Sequence, residues 1–184
     1  MGGKGSKLAP KDLKDLREQT NFTEQEIKQF HKEFVSENPG GKITRDQMIK
    51  MYRDMFPEGD PDGFAEQMFR VYDTDKNGYV DFREFMSGIG LLAHGTPDQK
   101  LRIIFQSYDF DNNGYISKWE FQGMAAALYK AVDPIQGHAG GSHEQSLRSS
   151  RMFDRLDKND DAKVTFEEFK EAAHDDPQIR AFLA

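Results

Sequence analysis

Cysteine is absent from this chain of 184 residues, so disulfides, thiolate metal sites and thiol nucleophiles are excluded. Basic charge is also scarce: 25 Lys and Arg against 32 Asp and Glu leave a formal net charge of -7, whereas a nucleic-acid partner requires a net basic face. No apolar run approaches the roughly 18 residues of a membrane span, and the first residues lack the apolar core of a secretory signal. These absences predict an intracellular, soluble globule that does not bind nucleic acid.

What the chain does contain is an internal repeat. Three stretches of twelve residues, at 73–84, 109–120 and 157–168, align without gaps. Each has oxygen-bearing side chains at positions 1, 3 and 5, an aliphatic residue at position 8 and Glu at position 12. Acidic turns are the alternative, but one full match is expected by chance in roughly one chain in ten thousand. The pattern indicates EF-hand calcium loops, since Ca²⁺ takes six to eight oxygen ligands.

The predicted metal ligands occupy loop positions 1, 3, 5, 7, 9 and 12, where position 7 contributes its backbone carbonyl. They are Asp73, Asp75, Asn77, Tyr79, Asp81 and Glu84 in the 73–84 loop; Asp109, Asp111, Asn113, Tyr115, Ser117 and Glu120 in the 109–120 loop; and Asp157, Asn159, Asp161, Lys163, Thr165 and Glu168 in the 157–168 loop.

The three loops are not expected to bind equally. Asp81 gives the 73–84 loop an additional carboxylate, so this loop is compatible with Mg²⁺ as well as Ca²⁺. In the 157–168 loop, Ala162 stands at position 6, where the others have Gly78 and Gly114. A residue with a Cβ loses about 1 kcal/mol in a left-handed conformation. We therefore expect the 157–168 loop to bind calcium more weakly than the other two.

A fourth, degraded copy of the loop lies at 36–47. Gly41 keeps the turn and Ile43 keeps the aliphatic position, but Asn38 stands at position 3 and Gln47 replaces the Glu. We predict a structural hand that pairs with the second hand and holds no calcium. The aliphatic residues at position 8 should pair neighbouring loops as two-stranded ribbons.

Amphipathic helices flank every loop, which predicts an all-α fold: four EF-hands in two paired lobes, a compact calcium-sensor architecture with short loop ribbons. A Gly-rich insert at 133–141 is expected to break helical character. The predicted divisions are an N-terminal myristoylation segment with the first helix, an N-terminal hand pair, a C-terminal hand pair and a tail, at 1–22, 23–94, 95–176 and 177–184.

The first six residues fit the myristoylation pattern, with Gly2 exposed after removal of Met1 and Ser6 at the sixth position. One myristoyl chain binds membrane only marginally, so a second attraction is needed. Four lysines could supply it on anionic lipid, and a solvated polar helix is the alternative. They are Lys4, Lys7, Lys11 and Lys14.

The N-terminal half is rich in Phe and Met, residues that suit a surface able to repack around partner helices. For any single one of them, a place in the core is the more frequent outcome. The candidates for a target groove are Phe30, Phe34, Met48, Met51, Tyr52, Phe56, Phe64, Phe69, Phe85 and Ile89.

Several further segments carry a family resemblance. They are Phe22-Thr-Glu-Gln-Glu-Ile27, a first loop broken by Pro39, and Phe56-Pro-Glu-Gly-Asp-Pro61. With the N-terminal glycine motif and three intact hands, the chain resembles the neuronal calcium sensor family, which includes frequenin, recoverin and the visinin-like proteins. The resemblance implies that calcium opens an N-terminal groove and that a myristoyl group is extruded with calcium. It also implies targets such as receptor kinases, lipid kinases, channels or guanylate cyclases.

The predicted function is thus a calcium sensor that regulates membrane-associated targets by binding their amphipathic helices. It would be cytoplasmic, peripheral on membranes, and a monomer or weak dimer. Two alternatives remain open: a cytosolic calcium buffer, and a constitutive regulatory subunit resembling calcineurin B. The chain is not expected to be an enzyme, because its histidines show no ligand spacing and nothing resembles a nucleophile–base pair.

Overall fold

The computed structural model describes residues 8–136 and 142–183. Over these residues the elements follow the order α1 (Pro10–Thr20), α2 (Glu24–Glu37), β1 (Lys42–Thr44), α3 (Arg45–Met55), α4 (Asp62–Tyr72), β2 (Tyr79–Asp81), α5 (Phe82–His94), α6 (Pro97–Tyr108), β3 (Tyr115–Ser117), α7 (Lys118–Gln136), α8 (Ser142–Leu156), β4 (Lys163–Thr165), α9 (Phe166–Asp175) and α10 (Pro177–Leu183).

The four short strands form two antiparallel ribbons, β1 with β2 and β3 with β4. Ile43 lies opposite Val80 in the first ribbon, and Ile116 lies opposite Val164 in the second. All four aliphatic side chains are buried, so each ribbon joins two hands by a small apolar contact as well as by backbone hydrogen bonds. The all-α class, with four EF-hands paired through short ribbons, is confirmed.

Local sequence signals determine where several helices begin. Thr23 and Glu26 form a capping box before α2: the Thr23 N–H donates to the Glu26 carboxylate at 2.8 Å, and the Glu26 N–H donates to Thr23 Oγ1 at 3.3 Å. Thr96 and Gln99 make the same exchange before α6. Both boxes satisfy amides that the first helical turn would otherwise leave unpaired.

The helix α7 is longer than predicted. The insert at 133–141 was expected to break helical character, yet α7 continues to Gln136, and only residues 137–141 of the insert lie outside the described part. Pro134 removes one N–H from the helix, whose acceptor would be the Lys130 carbonyl. That carbonyl instead accepts the Asp60 N–H at 2.8 Å. The helix therefore keeps its acceptor satisfied despite the proline.

Two compact units make up the fold. The first combines the chain up to Met48 with Phe69–Lys100, and the second combines Ile49–Met68 with the chain from Leu101 onward. The segment Ile49–Met68 thus groups with the residues of the C-terminal hands, and the predicted division of the chain between 94 and 95 stays a prediction. Phe64 shows the reason for this grouping, since its ring packs against the core of those hands.

In the first unit, α1 packs on α5. At Gly90 a Cβ would lie 2.5 Å from the Cβ of Thr20, so the two helices approach closely only because Gly90 lacks a side chain. Arg83 at the start of α5 pairs with Asp12 at 2.8 Å and with Asp15 at 3.5 Å. These contacts hold the N-terminal helix against the helix that leaves the 73–84 loop.

The second unit is organised around a buried aromatic core. Phe121, Phe153 and Phe169 are almost fully buried and lie on α7, α8 and α9. Phe121 stacks on Tyr108 with ring centroids 5.2 Å apart. Ile179 of α10 also belongs to this core, so the tail segment predicted at 177–184 begins as a packed helix.

Candidate calcium sites

The 109–120 loop folds around the carboxylate of Asp109, which is 6% exposed. Asp109 Oδ1 accepts the Asn113 N–H and Oδ2 accepts the Gly114 N–H, both at 3.0 Å. Asp111 Oδ1 accepts the same Asn113 amide at 3.0 Å. Gly114 has φ +89°, the left-handed turn that this arrangement requires. The turn thus brings the carboxylates of positions 1 and 3 to one side of the loop.

Glu120 closes the same loop from the first turn of α7. Its side chain is buried, and Oε1 accepts the Phe110 N–H at 2.9 Å. Oε2 accepts the Ser117 N–H at 2.8 Å and the Ser117 hydroxyl at 2.6 Å. The position-12 carboxylate therefore bridges the two ends of the loop, where a bidentate calcium ligand is required.

The 73–84 loop repeats this geometry. Glu84 Oε1 accepts the Thr74 N–H at 2.9 Å, and Oε2 accepts the Asp81 N–H at 3.0 Å. Carboxylate oxygens of Asp73, Asp75 and Glu84 lie within 4.8 Å of one another. The same holds for the equivalent residues of the 109–120 loop, Asp109, Asp111 and Glu120. Ca–O distances of about 2.3–2.6 Å allow ligand oxygens to be at most about 5 Å apart, so each cluster fits one Ca²⁺.

Like charges in these clusters favour a cation. Burial raises the pKa of the Asp109 carboxyl, and the neighbouring Glu120 and Asp111 charges raise it further. The Gly114 and Asn113 amides act in the opposite direction by donating to the carboxylate. A bound Ca²⁺ would offset both the burial and the repulsion.

The 157–168 loop repeats most, but not all, of these hydrogen bonds. Asp157 Oδ2 accepts the Ala162 N–H at 2.9 Å, and Glu168 Oε2 accepts the Thr165 N–H at 2.9 Å. Ala162, however, has φ +63°, a left-handed conformation in which its Cβ is strained. Asn159 supplies a neutral amide where the other loops have a carboxylate. The scaffold is similar, but its turn is strained, and its second carboxylate stands at position 5 (Asp161) instead of position 3.

The 36–47 loop is closed by its own side chains. Gln47 at position 12 donates from Nε2 to Asn38 Oδ1 at position 3, at 3.2 Å. Gln47 Oε1 accepts the Thr44 N–H at 2.8 Å, and the buried Asn38 donates from Nδ2 to the Phe34 carbonyl at 3.1 Å. An amide pair thus joins the two positions that a calcium ion joins in a binding loop. Sequence reasoning missed this pair, because nothing marks two amides nine residues apart as partners.

The groove candidates divide between the two compact units. Phe34, Met48 and Phe69 are buried, and the other seven are half-buried. In the first unit Phe34 lies 5.3 Å from Phe85 between ring centroids. In the second unit Tyr52 lies 5.5 Å from Phe64 and 6.3 Å from Phe56. The structure therefore brings Phe34 and Phe85 together in the first unit, and Tyr52, Phe56 and Phe64 together in the second.

Trp119 is an exposed aromatic residue that sequence reasoning did not single out. It is 72% exposed and lies at position 11 of the 109–120 loop, next to Glu120. Its ring meets Phe110 edge-on at 5.7 Å. Because Trp119 is the only tryptophan of the chain, its fluorescence reports on this loop.

The predicted myristoylation site at Gly2 lies outside the described residues, as do Lys4 and Lys7. The other two lysines of the predicted basic cluster, Lys11 and Lys14, lie on α1. Among the described residues, no helix combines the length and the apolar character that crossing a membrane requires.

Comparison with known proteins agrees with the geometry of the loops. The family model of the EF-hand domain pair matches residues 62–126 and 98–174. Neuronal calcium sensor 1 of Aplysia californica is 41% identical over 97% of this chain and 94% of its own length. Neuronal calcium sensor 1 of Lymnaea stagnalis is 40% identical over the same shares. The chain belongs to the neuronal calcium sensor family. Its function is calcium sensing by EF-hands, which in this family is regulatory and not enzymatic.

Proposed function

We propose that this neuronal calcium sensor binds about three calcium ions, one in each of the 73–84, 109–120 and 157–168 loops, through the ligands predicted from the sequence. The observation that carries the proposal is the convergence of three carboxylates within 4.8 Å in each of the first two loops. The third loop shares the hydrogen bonds of their turn, in which Asp157 accepts the N–H groups of Asp161 and Ala162. The 36–47 loop is silent, since its amide pair occupies the place of the ion. The 73–84 loop accepts Mg²⁺ as well when calcium is low.

Calcium binding then controls whether apolar surface is exposed. In sensor EF-hands the position-12 carboxylate draws the exiting helix onto the ion, and the helix pair opens. The predicted groove side chains are buried or half-buried here, so opening would expose surface that is otherwise covered. The partner would be an amphipathic helix of a membrane-associated target, namely a receptor kinase, lipid kinase, channel or cyclase.

A myristate on Gly2 would direct this switch to membranes. Support comes from the N-terminal helix, which is tied to the second hand by Arg83 with Asp12 and Asp15. Arg83 directly precedes Glu84, the position-12 ligand. Movement of α5 on calcium binding would therefore alter the contacts of α1 and of the segment that precedes it. The protein would be cytoplasmic and peripheral on membranes, as a monomer or weak dimer.

Co-sedimentation with anionic liposomes tests the membrane part of the proposal. The N-myristoylated chain is mixed with phosphatidylserine-containing vesicles in chelator and then at micromolar free calcium, with Gly2→Ala as the control. Pelleting that needs calcium and is lost in Gly2→Ala is the expected result. Pelleting in both conditions would mean a constitutive anchor, and pelleting in neither would contradict the membrane role.

Fluorescence of an apolar dye separates the sensor from its two alternatives. A sensor shows low dye binding in chelator and a large rise with calcium, and the Glu84→Gln, Glu120→Gln double variant loses the rise. A buffer would bind calcium with little change in dye fluorescence, because its hands barely open. A constitutive subunit would show high dye binding without calcium.

A further inference from the structure

Asparagine is followed by glycine at two places in the chain, at Asn77 and Gly78 and at Asn113 and Gly114. Both pairs stand at positions 5 and 6 of a predicted calcium loop, and both asparagines are exposed. Asparagine is one of the chemically labile residues, because the backbone nitrogen of the next residue can attack its side-chain carbonyl. The third predicted calcium loop, 157–168, has no such pair.

The reaction at an asparagine–glycine pair is intramolecular and needs no reagent except water. The glycine nitrogen forms a bond to Cγ of the asparagine, the bond from Cγ to Nδ2 breaks, and Nδ2 leaves as ammonia with the proton of the glycine nitrogen. The product is a cyclic imide, which one water molecule opens. Breaking the new bond to Cγ gives Asp, whereas breaking the original peptide bond gives isoaspartate, whose backbone runs through the side chain.

The two glycines leave their surroundings open. A Cβ at Gly78 or at Gly114 would meet nothing within 4 Å. Their φ angles are +87° and +89°, so a residue with a side chain would both strain the turn and crowd the neighbouring nitrogen. The attack is therefore limited by the contacts of the loop itself, and not by packing around it.

In the folded 73–84 loop, hydrogen bonds hold both reacting groups. The Gly78 N–H donates to Asp73 Oδ2 at 3.0 Å, so a carboxylate engages the proton that the attack must release. Asn77 Nδ2, the leaving nitrogen, donates to Asp75 Oδ2 at 2.7 Å. Asn77 Oδ1 accepts the Tyr79 N–H at 3.1 Å. The attack requires these groups to leave their partners, and it therefore requires the loop to open locally.

The 109–120 loop holds its pair in the same way. The Gly114 N–H donates to Asp109 Oδ2 at 3.0 Å, and Asn113 Nδ2 donates to Asp111 Oδ2 at 2.9 Å. Asn113 Oδ1 accepts the Tyr115 N–H at 3.0 Å. Both carboxylates and the Asn113 side chain are predicted calcium ligands, so a bound ion would fasten them to one point. Without the ion, repulsion between the carboxylates favours opening.

We propose that Asn77 and Asn113 are deamidation sites that calcium protects. While a loop is empty, local opening lets the glycine nitrogen attack, and Asp and isoaspartate accumulate slowly at position 5. Isoaspartate lengthens the backbone by one methylene carbon, which shifts the turn relative to the ligands and disables the loop. The modification thus records how long each loop has remained without calcium. The protection rests on the proposed calcium binding at both loops.

Timed incubation of the full chain tests the inference. The chain is kept in warm neutral buffer with chelator or with calcium, and peptide mapping by mass spectrometry follows each asparagine. An isoaspartyl-specific methyltransferase labels the isoaspartate. In chelator Asn77 and Asn113 should convert, whereas Asn112 and Asn159, which are exposed but not followed by glycine, should not.

Calcium should slow the conversion of both asparagines. At a calcium concentration about 100 times the dissociation constant, opening is suppressed about 100-fold. Conversion at this concentration should therefore be at least about tenfold slower than in chelator.

Variants at position 12 show whether each loop is protected by its own ion. In calcium, Glu84→Gln should allow Asn77 to convert while Asn113 stays protected, and Glu120→Gln should do the reverse. Glu167→Gln is the matched control, since it removes an exposed carboxylate that is not a ligand, and it should leave both asparagines protected. Conversion of both asparagines in each position-12 variant would overturn protection by the loop's own ion.

The remaining outcomes separate this inference from the proposed function. Equal conversion with and without calcium would overturn the inference, as would no conversion in chelator or equal conversion of Asn159. Native mass spectrometry should show one ion fewer for each isoaspartate, and an unchanged number of ions would also overturn it. Absence of calcium binding in the fresh chain, measured by calorimetry, would instead overturn the proposed function.

Discussion

The 109–120 and 157–168 loops pair in one ribbon and share most hydrogen bonds of the turn, yet they differ in the turn residue and in the placement of their carboxylates. Gly114 and Ala162 both adopt positive φ, of +89° and +63°, but only the glycine does so without strain. Both loops have three carboxylate ligands, but the second one is Asp111 at position 3 in the first loop of this pair and Asp161 at position 5 in the other. The comparison teaches that the ribbon and the capping interactions build a similar loop twice, whereas the turn residue and the placement of the carboxylates set how strongly each loop binds.

The largest expected effect comes from removing the position-12 carboxylate. Glu120→Gln should weaken calcium binding at the 109–120 loop by at least about tenfold, one step of 1.4 kcal/mol, because Gln offers one oxygen in place of two. Glu168→Gln should remove the weakest binding event and leave the two tighter ones. Calorimetric titration measures both changes in calcium binding, and Trp119 fluorescence reports on the 109–120 loop.

Glu167→Gln is the control for these two variants, since it removes a carboxylate of the same kind from an exposed position outside the ligands. If Glu168→Gln removed the tightest calcium-binding event, the 157–168 loop would have a higher calcium affinity than the 109–120 loop. That result would contradict the comparison.

Exchanging the turn residues should move the two affinities towards each other. Gly114→Ala should weaken the 109–120 loop and Ala162→Gly should strengthen the 157–168 loop, because a Cβ in the left-handed region is unfavourable by about 1 kcal/mol. That energy corresponds to about fivefold in affinity. Calcium titration of the two single variants gives the answer. If Ala162→Gly left the affinity unchanged, strain at this turn would not explain the weaker loop.

Adding a fourth carboxylate to the 157–168 loop, at position 3, should have a smaller effect. Asn159→Asp should strengthen the 157–168 loop about threefold, since affinity rises with the number of carboxylate ligands. The gain should shrink at high salt, because exposed charges are screened. Asp160→Asn is the matched control: it changes loop charge at a position that is not a ligand. An equal and opposite effect in that control would mean that net loop charge, and not ligand chemistry, decides.

The smallest effect on calcium affinity, together with a clear effect on stability, is expected for the degraded 36–47 loop. Gln47→Ala removes the hydrogen bond to the buried Asn38 and should lower the free energy of unfolding in chelator by about 1 kcal/mol. Calcium affinities should not change. Urea unfolding measures the stability, and Gln25→Ala on the exposed face of α2 is the control. A changed number of bound ions would show that this loop is not silent.

The calcium loops and most helix boundaries were predictable because their signals are local. Six ligand positions fall within twelve residues, and a capping box such as Thr23 with Glu26 spans only four. The end of α7 was not predictable, since Pro134 is tolerated through a donor at Asp60 that is distant in sequence. The division into the two compact units was not predictable either, because the sequence pattern of α4 does not show which core the ring of Phe64 packs against.

The most direct test of the account is a calcium titration of the full chain followed by native mass spectrometry, with Glu168→Gln in parallel. The account predicts three bound ions in the native chain, the last of them filling at the highest calcium concentration, and two in the variant. Four ions, or two in both proteins, would contradict it, because either result would mean that the 36–47 or the 157–168 loop has been assigned the wrong role.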